Sequence, residues 1–340
     1  MSDGLAWLAR DPAMVTDRTP EDTPHEVRPR PGAPVAGDRP DANQPARIVF
    51  IAGSSFSGST LMGLMLGSCP EAVYVGELKD YKRRMEVETV GAEAFCSCGR
   101  SRSMCPFWSV VQDRYGSETH LNPAPGFSLR NAVLGIRIAT GLEPDSRRET
   151  PHGSLVRAIS REARARNPAV LYVVDSSKSV QNLDAIYRSP NLELSVIHLI
   201  RDGMAVAGSY KKRGFGTLYA IASWSIGNIF ISLYIKRRRL RSVRVDYRSL
   251  CLGDEKTYAA LNEFLGISLK PDAAAGEIRN TKYHIVSGNG KVRRSASDFQ
   301  GIHYSESPSN PTAFERFLAH VVVRPLNRSF GVTSGPTPVR

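Results

Sequence analysis

The 340-residue sequence has no basic segment leading into an apolar one at its N-terminus, and no uninterrupted apolar stretch long enough to cross a bilayer. The nearest candidate, 218–235, is broken by Ser223, Ser225, Asn228 and Ser232 and reads as a buried helix. Cysteine is scarce. Five residues, an odd number, argue against the disulfide framework of a secreted domain. Together these absences predict a cytoplasmic protein. Acidic residues are outnumbered 33 to 45 by basic ones, giving a formal charge of +12. That excess favours an anionic ligand or partner without choosing among nucleotide, nucleic acid and membrane. Apolar residues are also sparse across 1–45, which hold eight of the 22 prolines. Such a composition predicts a disordered arm, followed by a domain over 46–332 and a flexible tail over 333–340.

One further absence is the most informative. Arg47-Ile48-Val49-Phe50-Ile51-Ala52 reads as a buried strand that runs into Gly53-Ser54-Ser55-Phe56-Ser57-Gly58-Ser59-Thr60 and then the apolar, helix-like 61–66. A phosphate-binding loop between strand and helix wants glycine, four residues, glycine, lysine, then serine or threonine. Every element is present except the lysine, whose place is taken by Ser59. The glycines let the backbone curl tightly, and the amides of the helix start then face an anion. Without the lysine, the loop is expected to grip a phosphate whose donor is not an ordinary nucleoside triphosphate.

Further short apolar runs end in polar residues. Val73–Val75 leads to Gly76-Glu77, Val170–Val174 to Asp175-Ser176-Ser177-Lys178, Leu194–Ile200 to Arg201-Asp202, and Val243–Val245 to Asp246-Tyr247. Helical patterns fall between them at 154–166, 179–188, 203–213, 217–240 and 254–265. This alternation predicts an α/β fold, a central mainly parallel sheet covered by helices on both faces. Ligands in such sheets bind beyond the carboxyl ends of the strands, which gathers Gly58, Glu77, Lys178 and Arg201 onto one rim.

The segment Ile197-His198-Leu199-Ile200-Arg201-Asp202-Gly203, with Ser209 about two helical turns on, resembles the 3′-phosphate-binding segment of the PAPS-dependent sulfotransferases. Ser57-Gly58-Ser59-Thr60 resembles the same family's 5′-phosphosulfate loop. With the later elements the resemblance covers roughly residues 47–330. It implies a P-loop-like three-layer fold, PAPS as co-substrate, PAP as product and no metal. Its partners would be a hydroxyl-bearing acceptor (a carbohydrate, lipid or other small molecule) and no nucleic acid.

The family usually has lysine or arginine just before the Ser-Gly pair, where this chain has Phe56. A sulfuryl transfer loads charge onto the bridging oxygen, so a cation is expected there. Lys178 is the candidate, similar in position to a lysine of the protein-tyrosine sulfotransferases; a solvated lysine at a helix start is the alternative. Glu77 resembles the glutamate that takes the acceptor proton in several branches, and helix capping is its rival role. Tyr247 ends a strand where the family often has a Tyr-rich turn. His284–Arg294, a glycine-broken loop with three cations, resembles the late flap over the nucleotide, with Arg293 as its binding residue. Packing is the expected role of Trp224, one turn from Asn228. Loops 79–150 and 270–305 are expected to shape the acceptor pocket.

Cys96, Cys98 and Cys105 place three thiols within ten residues, but paired Cys-x-x-Cys knuckles are missing and the nearest histidine is His120. Reduced thiols or one local disulfide are therefore expected rather than zinc. Similar Cys-rich segments ending in Phe-Trp occur in some bacterial sulfotransferase-like proteins, which suggests a structural cap near the acceptor pocket. Lys236–Arg239 reads as a solvated helix end, with anionic lipid as the alternative contact. The rival functions are a P-loop phosphotransferase or NTPase, in which Asp175 and Thr60 would serve magnesium, and a decayed nucleotide-binding module.

Overall fold

Phe50 and Ile51 are adjacent in sequence and fully buried on opposite faces of a sheet, and this alternation organises the fold. A computed structural model describes residues 45–86, 95–115, 129–142, 146–271, 274–288, 304 and 311–332. The expected arm (apart from Pro45) and the expected tail lie outside the described residues.

Five strands, β1 (Ala46–Ala52), β2 (Ala72–Gly76), β3 (Tyr172–Lys178), β4 (Leu192–Ile200) and β5 (Ser242–Asp246), form one sheet in the order β2-β3-β1-β4-β5. Every pairing is parallel. Parallel neighbours need long crossovers, and helices supply them, among them α2 (Tyr81–Glu86) and α4 (Leu129–Thr140) between β2 and β3. On one face, Ile48, Phe50, Val173 and Val196 pack with α3 (Pro106–Tyr115), α5 (Pro151–Arg166) and α6 (Val180–Arg188) through Trp108, Leu155, Ile159 and Leu183. On the other, Val49, Ile51, Ile197 and Leu199 meet α1 (Ser59–Gly67), α9 (Tyr247–Cys251) and α10 (Glu255–Leu265) through Met62, Leu66, Leu250 and Leu261. Both faces are covered, as the sequence pattern requires.

α8 (Thr217–Arg238) is the one described helix long and apolar enough to cross a membrane, with mean hydropathy 1.5. Its Ala220, Ile221 and Trp224 are buried in a third cluster with Val206 and Tyr210 of α7 (Gly203–Lys211) and with Val323 and Phe330. The last two belong to a continuous C-terminal helical run over 313–330. Trp224 packs as expected, and its indole also donates to the Arg201 carbonyl at 3.0 Å.

β3 departs from its expected end. It continues through Asp175, Ser176 and Ser177, all fully buried, to Lys178. The polar residues stay in the strand because other groups satisfy them. Asp175 Oδ1 accepts from Leu78 N (3.1 Å), Ser177 N (2.9 Å) and Ser177 Oγ (2.6 Å), while Ser176 Oγ pairs with the Tyr74 hydroxyl at 2.9 Å. The register with β1 jumps from Phe50↔Asp175 to Ala52↔Lys178. This bulge places one extra residue in β3, and Lys178 leaves it with φ 71°, in the left-handed region.

Candidate active site at the sheet rim

The registers Ala52↔Lys178, Gly76↔Asp175 and Ile200↔Asp246 align the carboxyl ends of all five strands. Gly53–Gly58, Glu77, Lys178, Arg201 and Tyr247 consequently share one edge, and hydrogen bonds tie them together. Gly53 N donates to Lys178 O at 3.2 Å, and Arg201 Nη1 donates to Phe56 O at 3.2 Å. The Arg201 guanidinium lies 5.0 Å from the centre of the Tyr247 ring.

Gly58 has φ 91°, a conformation glycine adopts without steric cost. A Cβ there would overlap ring carbons of Tyr247. The tyrosine of α9 thus confines this glycine. Ser57 and Ser59 are buried, and the Ser54 and Ser57 hydroxyls have no hydrogen-bond partner among the described residues. Thr60 bonds the Tyr74 hydroxyl, which joins the loop to the buried Ser176.

Glu77 follows β2 at a sharp turn. Gly76 has φ 88°, and the Ser287 carbonyl lies so close that no side chain would fit. The Glu77 carboxylate accepts from Lys178 Nζ on one oxygen and pairs with Lys79 Nζ at 2.8 Å on the other. Burial alone would raise its pKa, but the two lysines outweigh burial and hold it at about 2. Burial lowers the Lys178 pKa, partly offset by Glu77. For Lys79, burial also acts downward, but Glu77 wins and the pKa rises. Lys178 is not a solvated lysine at a helix start, since its side chain is 13% exposed and ion-paired. Lys79 was not singled out from sequence. A basic residue two places after a glutamate is common, and only the tight turn at Leu78–Asp80 folds it back.

At the other expected residues the results differ. Ser209 lies on α7, where its hydroxyl donates to the Ala205 carbonyl at 3.0 Å. Phe56, at φ 63°, packs edge-on against Tyr210 with ring centres 4.7 Å apart, and the Arg213 guanidinium sits 5.0 Å over its ring. Arg293 lies outside the described residues. The first residues of the expected flap run beside β2, with Val286 N donating to Val75 O (2.9 Å) and Glu77 N to Ser287 O (3.2 Å), and 289–294 lie outside the described residues. His198 is buried against Asn228, and burial pushes its pKa down to about 4, leaving a neutral ring inside the sheet. Asp175 is fully buried, with Oδ1 taken by Leu78 N and Ser177 and Oδ2 3.6 Å from His152 Nε2.

No family model matches the chain, and no curated protein does. Several solved structures are similar to it, among them three sulfotransferases by name. The sulfotransferase domain of the Synechococcus PCC 7002 olefin synthase is 19% identical, covering 89% of this chain and 94% of that one, with a TM-score of 0.39. The sulfotransferase domain from the curacin biosynthetic pathway is 15% identical over 82% of this chain and 97% of that one, TM-score 0.39. Sulfotransferase STF9 from Mycobacterium avium is 10% identical over 85% and 78%, TM-score 0.39.

Proposed function

We propose that this protein transfers the sulfuryl group of PAPS to an acceptor hydroxyl and releases PAP. The observation that carries the reading is a buried Lys178–Glu77 pair beside a glycine turn that lacks the triphosphate-binding lysine. The phosphosulfate would take the first amides of α1, which have no partner within the helix, together with the Ser54 and Ser57 hydroxyls. Ser59 and Thr60 complete the loop. Arg201 and Ser209 would hold the 3′-phosphate, with Tyr247 as a wall between the two phosphate sites and Arg293 as a further cation.

The chemistry follows from competition for one ammonium group. An incoming phosphosulfate draws Lys178 from Glu77 toward the bridging oxygen, where charge develops as the S–O bond breaks. Glu77, losing one of the partners that hold its pKa near 2, then becomes more basic. The acceptor oxygen attacks sulfur, its proton passes to Glu77, and PAP leaves with the electron pair of the broken bond. The acceptor is a carbohydrate, lipid or other small-molecule hydroxyl, shaped by 79–150 and 270–305.

Titration with PAP and with ATP, each with and without magnesium, tests the reading against a P-loop phosphotransferase. Tight metal-independent PAP binding is expected, and strict magnesium dependence with ATP preferred would overturn it. Mass-spectrometric detection of PAPS-dependent sulfate addition in extracts then separates an active transferase from a decayed binding module.

A further inference from the structure

Cys96, Cys98, Cys105 and His284 bring their ligand atoms within 4.8 Å of one another. Two of the thiols stand on a small hairpin closed by a Phe95–Ser101 bridge and by Cys96 N donating to Arg100 O at 2.9 Å. The third immediately precedes α3. The histidine arrives from the segment beside β2, 179 residues further along the chain than Cys105.

Three edges of the cluster are Cys98 Sγ–Cys105 Sγ at 3.7 Å, Cys96 Sγ–His284 Nδ1 at 3.9 Å and Cys105 Sγ–His284 Nδ1 at 3.3 Å. A tetrahedral zinc ion, about 2.3 Å from sulfur and about 2.0–2.1 Å from nitrogen, requires sulfur–sulfur edges of about 3.8 Å and sulfur–nitrogen edges of about 3.6 Å. The fit is close. All five cysteines are free thiols, and 3.7 Å is far beyond a disulfide bond of about 2.05 Å.

The surroundings hold the ligands in place. The His284 ring stacks on Phe107 with centres 5.1 Å apart and planes 7° from parallel, and Trp108 Nε1 donates to the His284 carbonyl at 2.9 Å. Ser97 Oγ donates to Tyr283 O at 2.7 Å and accepts from Ile285 N at 2.8 Å, fixing the backbone on both sides of the histidine. Cys96 and Cys105 are buried.

We propose that these four residues bind one structural zinc ion, which revises the expectation of a metal-free protein. Three thiolates and an imidazole are ligands for zinc rather than for magnesium or calcium. With four protein ligands the coordination is closed, so the ion takes no part in the transfer reaction. Its work is to clamp the Cys-rich hairpin and α3 onto the strip that ends at Ser287. That residue accepts from Glu77 N and donates through its hydroxyl to Asp80 Oδ2 at 2.7 Å, so the clamp steadies the turn carrying Glu77 and Lys79.

Elemental analysis of the full-length protein, purified under reducing conditions without added metal, should find about one zinc per chain. Cys98→Ser and His284→Ala should abolish that zinc, while Cys69→Ser and Cys251→Ser, outside the cluster, keep it. If the cluster variants do not fold, the wild-type protein decides. After mercurial release of the metal and removal of the mercurial with thiol, cobalt(II) should restore a visible spectrum with tetrahedral ligand-field bands and thiolate charge transfer. Reduced wild-type protein that contains no zinc and takes up neither zinc nor cobalt would overturn the proposal. So would zinc retained by folded Cys98→Ser or His284→Ala protein, or iron in its place. None of these readouts depends on catalysis.

Discussion

Lys178 and Glu77, 101 residues apart in the chain, form a buried ion pair at the carboxyl edge of the sheet. Removing one partner of such a pair costs more than the pair itself contributes, because a charge is left buried. Here the second lysine, Lys79, softens that penalty on the Glu77 side. Replacing Lys178 therefore leaves Glu77 paired with Lys79, which opens the site to mutation from the lysine side.

Lys178→Ala should lower turnover about 100- to 1,000-fold, the usual cost of one preorganised charge-stabilising donor. PAP affinity should weaken only modestly, because the loop amides and Arg201 remain. Steady-state sulfate transfer alongside PAP calorimetry reads both. Wild-type turnover in the variant would remove Lys178 from the mechanism.

Glu77→Gln keeps size and hydrogen bonding but cannot take a proton, so transfer should fall about 100- to 10,000-fold while PAP still binds. The same variant carries a pH signature. The Glu77 pKa falls from 4.5 to about 2 on folding, so its contribution to stability is present above pH 4.5 and is lost as the pH falls toward 2. Acid unfolding followed by circular dichroism should therefore show a shallower loss of stability over that window in Glu77→Gln than in the wild type. Identical curves would mean that the lysines do not hold the carboxylate as described.

Arg201→Ala should erase the preference for PAPS over adenosine 5′-phosphosulfate rather than merely slow the reaction. A charge-assisted bond to the 3′-phosphate is worth about 1.5–3 kcal/mol, roughly one to two powers of ten in discrimination. Competition between the two donors measures it directly. An unchanged ratio would place the 3′-phosphate elsewhere.

Gly58→Ala should destabilise the protein and weaken PAP binding, since the added Cβ meets the Tyr247 ring and the backbone stands at φ 91°. Tyr247→Ala in the same chain should recover part of the thermal stability by removing the clash, but not the backbone strain. Thermal unfolding of the two variants checks this. No recovery at all would show that the ring is not what confines Gly58.

The strands were legible in the sequence because each is a short apolar run ended by polar residues, and β1, β2, β4 and β5 lie within two residues of their expected bounds. The rim was legible too, since parallel strands must carry their carboxyl ends to one edge. That is how Gly58, Glu77, Lys178 and Arg201 could be assembled from distant segments. The end of β3 was hidden, because Asp175-Ser176-Ser177 resembles a loop until Leu78 N and the Tyr74 hydroxyl supply its partners. Lys79 as the second partner of Glu77, Tyr247 against Gly58 and His284 among three cysteines were hidden for the same reason. Periodicity and turn chemistry act between residues close along the chain, so sequence alone determined the elements and their common edge. Which side chains meet across that edge depends on bulges, turns and packing between segments as far apart as Cys105 and His284, and only the folded chain decided those.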